Sequence, residues 1–128
     1  MRLLEQRLCL LAGCFLLAGV SVTGAQAQAP LDGAVQFRNQ CGTCHTLDPN
    51  APARQGPMLR GVVGRAAGTV QGFKYSLHLQ NAGFAWTEEK LDAYLTNPQA
   101  VVEGGMMPYR QAKGDVRRAV IAYLKDQN

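Results

Sequence analysis

Apolar residues are spread unevenly along this chain. Residues 8–22 form a predominantly apolar run, preceded by the net basic head Met1-Arg2-Leu3-Leu4-Glu5-Gln6-Arg7 and followed by small residues ending in Ala25-Gln26-Ala27. A basic head, an apolar core and an Ala-x-Ala site in that order predict a secretory signal peptide over residues 1–27, cleaved before Gln28. The run is short for a membrane span. Beyond it, apolar positions recur at helical spacing in short blocks. Val35 and Phe37 give residues 32–40 one apolar face, and Asp32 is placed to cap that helix. Residues 76–81 have room for one or two turns, closed by Gly83. Thr87 followed by Glu88 and Glu89 is a helix start, with a capping hydroxyl and acids at the positive end of the helix dipole. Leu91, Tyr94 and Leu95 make its buried stripe, and Asn97-Pro98 is read as its stop. A last helix opens at Gly114-Asp115, with Val116, Ala119, Val120, Tyr123 and Leu124 as its apolar face.

Between these blocks lies a long stretch with no period. Residues 46–69 hold four glycines and three prolines, which predicts ordered loop. A loop of that length in a compact domain needs something to wrap around. No run alternates long enough to build a sheet. Residues 28–128 therefore read as one mainly α domain with much loop and a thin polypeptide core, a deficit that a bound apolar cofactor would fill.

Composition sharpens this reading in two places. The chain carries 13 basic and 9 acidic residues, and loss of Arg2, Arg7 and Glu5 with the signal leaves the balance mildly basic. The signs are interspersed, with no block that suggests nucleic-acid binding. Cys9 and Cys14 also leave with the signal, so Cys41 and Cys44 remain. Leu11-Ala12-Gly13-Cys14 resembles a lipobox, which keeps a lipid anchor at Cys14 as an alternative. Only about half a normal apolar core precedes that cysteine, however, and soluble release is the preferred reading.

The remaining cysteines stand in Cys41-Gly42-Thr43-Cys44-His45. Two thiols three positions apart can add to the two vinyl groups on one edge of a haem, and the following imidazole can then reach the iron. This C-x-x-C-H pattern predicts one covalent haem c. A thioredoxin-like pair would need a βαβ setting, and zinc would need a second ligand pair, for which His78 has no partner. A plain disulfide leaves His45 without a role.

With the motifs that follow it, the chain resembles the class I c-type cytochromes, the group that includes mitochondrial cytochrome c and bacterial cytochromes c2. The resemblance spans about residues 32–125. It is carried in order by the haem motif, Gly56-Pro57-Met58-Leu59-Arg60-Gly61, Gly64-Arg65, Gly72-Phe73-Lys74-Tyr75-Ser76, Trp86, Tyr94-Leu95-Thr96-Asn97-Pro98, Met107-Pro108-Tyr109 and Ile121-Ala122-Tyr123-Leu124-Lys125. It implies that the Pro57 carbonyl accepts a hydrogen bond from the proximal His45, making the imidazole a better iron donor. It implies that Gly33 and Phe37 lie where the first helix crosses the last. Arg65, Tyr75 and Trp86 match donors to the haem propionates, and Tyr94 matches the tyrosine beside the axial sulfur.

Of the adjacent pair Met106 and Met107, the family pattern makes Met107 the second axial ligand, with Met106 facing the surface. Met58 is a weaker candidate, and His78 is read as a surface histidine. A soft thioether opposite an imidazole favours ferrous iron. With both iron positions filled, the expectation is a monomeric periplasmic electron carrier rather than an enzyme. It would work between a donor such as a bc1-type complex or a dehydrogenase and an acceptor such as an oxidase, a peroxidase or a photosynthetic reaction centre. One departure stands out. Gln40, Gln99, Ala100 and Met106 occupy positions where mitochondrial relatives place lysines around the haem edge, leaving Arg110 and Lys113 nearby.

Overall fold

Helix caps and two interhelical seams account for the architecture. The computed structural model describes residues 29–52 and 54–128, so the signal peptide expected over residues 1–27 and the alternative anchor at Cys14 lie outside the described residues. Five helices follow in order: α1 (Gly33–Gln40), α2 (Leu77–Gln80), α3 (Glu88–Thr96), α4 (Pro98–Val101) and α5 (Gly114–Lys125). The caps expected at Asp32 and Thr87 are in place, and Ser76 adds a third. The Asp32 carboxylate accepts from the Val35 amide at 3.1 Å, the Ser76 hydroxyl from Leu79 at 3.3 Å, and the Thr87 hydroxyl from Lys90 at 3.1 Å. Each satisfies an amide that the first helical turn leaves without a partner.

Helix α1 crosses α5 at very close range. A methyl group on Gly33 would run into the Ala119 carbonyl and come 2.7 Å from Tyr123 Cβ, so only glycine permits this approach. One α1 turn further on, Phe37 meets Tyr123 with ring centroids 5.7 Å apart. Helix α3 packs on a second side of α5, tied there by Arg117 Nε to Asp92 Oδ1 at 2.8 Å. Two neighbours widen the buried face of α5 beyond the stripe expected from spacing. Val116, Val120, Ile121 and Leu124 are all buried, while Ala119 and Tyr123 are half-buried toward α1. Ile121 is the addition, because a helix gripped from two sides buries more than one stripe.

Pro98 departs from expectation as well. Helix α3 does end at Thr96, but Pro98 then opens α4 instead of simply closing α3. Its ring is tolerated at the first helical position, where the missing N–H would be unpaired in any case.

The described residues of 46–69 carry no helix, as predicted. Among the described residues β pairing is confined to an isolated antiparallel bridge between Ala66 and Ala85. That bridge clips the far end of the loop to the strand-like segment before α3, through Trp86 N to Arg65 O at 2.9 Å and Ala67 N to Phe84 O at 2.9 Å.

Candidate haem site

The end of α1 builds the first wall of the site. Both the Cys41 and Gly42 amides donate to the Phe37 carbonyl, at 2.8 and 2.9 Å. The chain then folds back, and the amides of Cys44 and His45 donate to the Cys41 carbonyl at 3.1 and 2.9 Å. This compact turn brings the two cysteines and the histidine together from five consecutive residues. Both thiols are free and half-buried. Burial, and secondarily the neighbouring Cys44, pushes the Cys41 thiol up to about 11. An attacking thiol in a redox-active pair depends on a lowered pKa, so Cys41 is poorly suited to that role.

His45 is held from two directions. Its Nδ1 lies 2.7 Å from the Pro57 carbonyl oxygen. A carbonyl can only accept, so Nδ1 carries the proton and Nε2 keeps its lone pair for a ligand. Burial outweighs this hydrogen bond and lowers the imidazole pKa, which favours the neutral form that a metal requires. Gly56 lies flat against the ring: a Cβ there would sit 2.6 Å from Nδ1 and 2.7 Å from Nε2. Its own amide donates to the Cys44 carbonyl at 2.8 Å. Arg54 adds a clamp from outside by donating to the Gly42 and His45 carbonyls. Sequence reasoning placed Pro57 but assigned no role to Gly56 or Arg54. The legible signal for Gly56 was its position immediately before that proline.

The other predicted residues gather on a second wall. Arg65 donates to the carbonyls of Arg60 at 2.8 Å and Met58 at 3.0 Å, and burial lowers its pKa. The Tyr75 hydroxyl accepts from the Val70 amide at 3.4 Å, and Arg65 and Tyr75 lie close enough to perturb one another. The Ala66–Ala85 bridge brings Trp86 to the same place. Trp86 and Tyr94 are each 7 % exposed and meet edge to face at 4.8 Å. Met107 is half-buried against the core, whereas Met106 is 77 % exposed. Met58 is half-buried, and its carbonyl serves Arg65. His78 is exposed as expected, with its ring seated over Gly104.

Whether these residues suit a haem can be tested on their unmet needs. Among the described residues no carboxylate pairs with the half-buried Arg65 guanidinium. The Trp86 indole N–H and the Tyr94 hydroxyl belong to buried side chains, yet neither polar atom is sealed from solvent; among the described residues the enclosed side-chain atom without a partner is Asn97 Oδ1. A group that carried carboxylates toward Arg65, Tyr75 and Trp86 while bonding Cys41, Cys44 and His45 would find donors there and would give the unpaired Arg65 guanidinium a counter-charge. Among the described residues no cluster of three or more His, Cys, Asp or Glu side chains could hold a bare metal ion instead.

No family model matches the chain. Whole-chain relatives are clear, however. Cytochrome c2 of Blastochloris viridis is 39 % identical over 120 residues, covering 93 % of each chain. Cytochrome c2 of Rhodomicrobium vannielii is 41 % identical over 109 residues, 84 % of this chain and 86 % of that one. Cytochrome c of Ulva intestinalis is 39 % identical over 98 residues, 76 % of this chain and 88 % of the other. The chain belongs to the class I c-type cytochromes. The mainly helical architecture fits that class. Members of the family carry one haem c bonded through two cysteines and act as electron-transfer proteins, not enzymes. Cys41 and Cys44 are the only cysteines of this cytochrome among the described residues, and they stand in the attachment motif.

Proposed function

We propose that this cytochrome is a soluble, monomeric, periplasmic carrier that moves single electrons through a haem iron held by His45 and Met107. The observation that carries the reading is the His45 ring, fixed by the Pro57 carbonyl at 2.7 Å and by the face of Gly56 so that Nε2 alone is free to ligate. The haem, when bound, supplies an iron centre that exchanges one electron without bond rearrangement. The polypeptide orients the imidazole, and Arg65, Tyr75 and Trp86 would offer donors to the haem carboxylates. These donors keep carboxylates ionised in a half-buried setting. Tyr94, buried beside Trp86, lies against the same site.

For the second ligand, the half-buried Met107 is the better-placed methionine and the exposed Met106 the worse. Export rests on the signal pattern of residues 1–27. Among the described residues no helix is long and apolar enough to cross a membrane. Partners are redox proteins of the membrane or periplasm: a bc1-type complex or a dehydrogenase as donor, and an oxidase, peroxidase or reaction centre as acceptor. Gln40, Gln99, Ala100 and Met106 are all exposed, which supports a docking face of low charge with Arg110 and Lys113 at its rim.

Ligation is tested by paired variants. Met107→Ala abolishes the methionine–iron charge-transfer band, lowers the reduction potential and admits small ligands; Met106→Ala leaves all three nearly unchanged. The reverse outcome shifts the ligand by one residue, and no effect from either variant removes methionine ligation from Met106 and Met107 altogether.

A further inference from the structure

The segment that carries Met107 is attached to the rest of the protein in an unusual way. Its two flanks are well tied. On the N-terminal side the Gln99 side chain donates to the Gly105 carbonyl at 2.6 Å and accepts from the Gly104 amide at 3.2 Å. On the C-terminal side the Gln111 amide donates to the Leu95 carbonyl at 2.8 Å, and the Gln111 carbonyl accepts from Arg117 at 2.9 Å. Arg117 is in turn paired with Asp92 of α3. Between these anchors, residues 106–110 make no backbone hydrogen bond to any described residue.

One side chain bridges the gap. The Tyr109 hydroxyl donates to Gln40 Oε1 at 3.1 Å and accepts from Gln111 Nε2 at 2.9 Å. Gln40 ends α1 and immediately precedes Cys41. This single hydroxyl therefore joins the methionine-bearing segment to the cysteine-bearing turn, across 69 positions of sequence. The hydroxyl thus donates once and accepts once, and one partner, Gln111, is itself fixed to α3 and α5.

We infer that Tyr109 is a positioning residue for the iron centre: its hydroxyl latches residues 106–110 to Gln40 and so sets how readily Met107 gives way to an outside ligand. The inference rests on the Met107 ligation proposed above. A phenylalanine at this position keeps the ring and its packing and removes only the latch. Breaking two partly solvated hydrogen bonds should favour the open segment about fivefold. The loss is local, because the flanking anchors and the α1–α5 seam are untouched.

The test uses the ferric holoprotein and imidazole as the competing ligand, followed by loss of the methionine–iron band. Tyr109→Phe binds imidazole about fivefold more tightly than wild type, Gln40→Leu shifts in the same direction, and the double variant shows no more than Tyr109→Phe alone. Denaturant midpoints stay close to wild type. Unchanged imidazole affinity in Tyr109→Phe overturns the latch, as does a gain matched by an equal loss of global stability, or full additivity with Gln40→Leu. Met107→Ala is run alongside. If it keeps the band, the ligation reading falls and the latch with it; if it loses the band while Tyr109→Phe behaves as wild type, only the latch falls.

Discussion

The two non-helical segments that frame the candidate haem site are held in opposite ways. Around His45, nearly every group is engaged: the Cys44 and His45 amides on Cys41, the Gly56 amide on Cys44, the ring on Pro57, the Leu59 amide on Thr46, and Arg54 across the outside. Around Met107, five successive residues make no backbone hydrogen bond among the described residues, and the Tyr109 phenol supplies the side-chain hydrogen bonds that tie them down beside the packing of Met107 on the core. The contrast suits the chemistry proposed for the two sides. The histidine side carries two thiols three positions apart, and both would have to meet one haem edge from a turn of fixed shape. The proposed ligand on the methionine side is a soft thioether on a segment with few ties of its own, so it would be the more exchangeable of the two.

Removing the covalent cofactor breaks both sides together and is the largest effect expected. Cys41→Ala/Cys44→Ala protein should lack a cooperative thermal transition and native-like circular dichroism, because the described residues of 46–69 have no helix of their own and the two seams on α5 form a thin core. A cooperative melt in that variant would show that the polypeptide core suffices.

Breaking only the histidine side should cost less but still be severe. In Gly56→Ala the new methyl group lands on the imidazole, so either the ring or the loop must move. Destabilisation of about 2–3 kcal/mol is expected by denaturant titration, in the range for overpacking a tight contact. A loss below about 0.5 kcal/mol would mean that the loop yields freely and the two sides differ less than argued. The ligation and latch variants described above probe the methionine side, with effects confined to iron ligation.

The smallest effect concerns the outer surface of that side. With Gln40, Gln99, Ala100 and Met106 exposed and uncharged, association with a redox partner should depend weakly on ionic strength. Met106→Lys should steepen that dependence, since steering follows summed charge and is screened within about 8 Å at physiological salt. Stability should stay within about 0.5 kcal/mol of wild type. Stopped-flow rates across a salt series are the check, and a steep fall in the wild type would place the docking charges elsewhere.

Local chemistry was readable from residues alone. Asp32 and Thr87 cap their helices because a short polar side chain reaches an amide three positions on, whatever lies further away. The Cys41–His45 spacing states its ligand because attachment and ligation come from one turn. Family resemblance, in turn, implied the Pro57 contact and the Gly33 crossing, and both geometries are present. Pro98 was harder. Proline forbids continuing a helix but permits starting one, so a stop and a new start look alike until the chain's direction after it is known.

What resisted reading was every contact between distant segments. Ile121 is buried only because α3 joins α1 against α5. Arg65 and Trp86 become neighbours only through the bridge between Ala66 and Ala85. Gly56 beneath His45, and Tyr109 between Gln40 and Gln111, depend on where two loops meet. Sequence periodicity and spacing report on interactions within a few residues, where backbone geometry sets the distance. Across tens of residues that distance is free until helices pack, so the caps, the haem motif and the helix blocks belong to the sequence, and the latch, the imidazole's flat support and the grouping of donors belong to the fold.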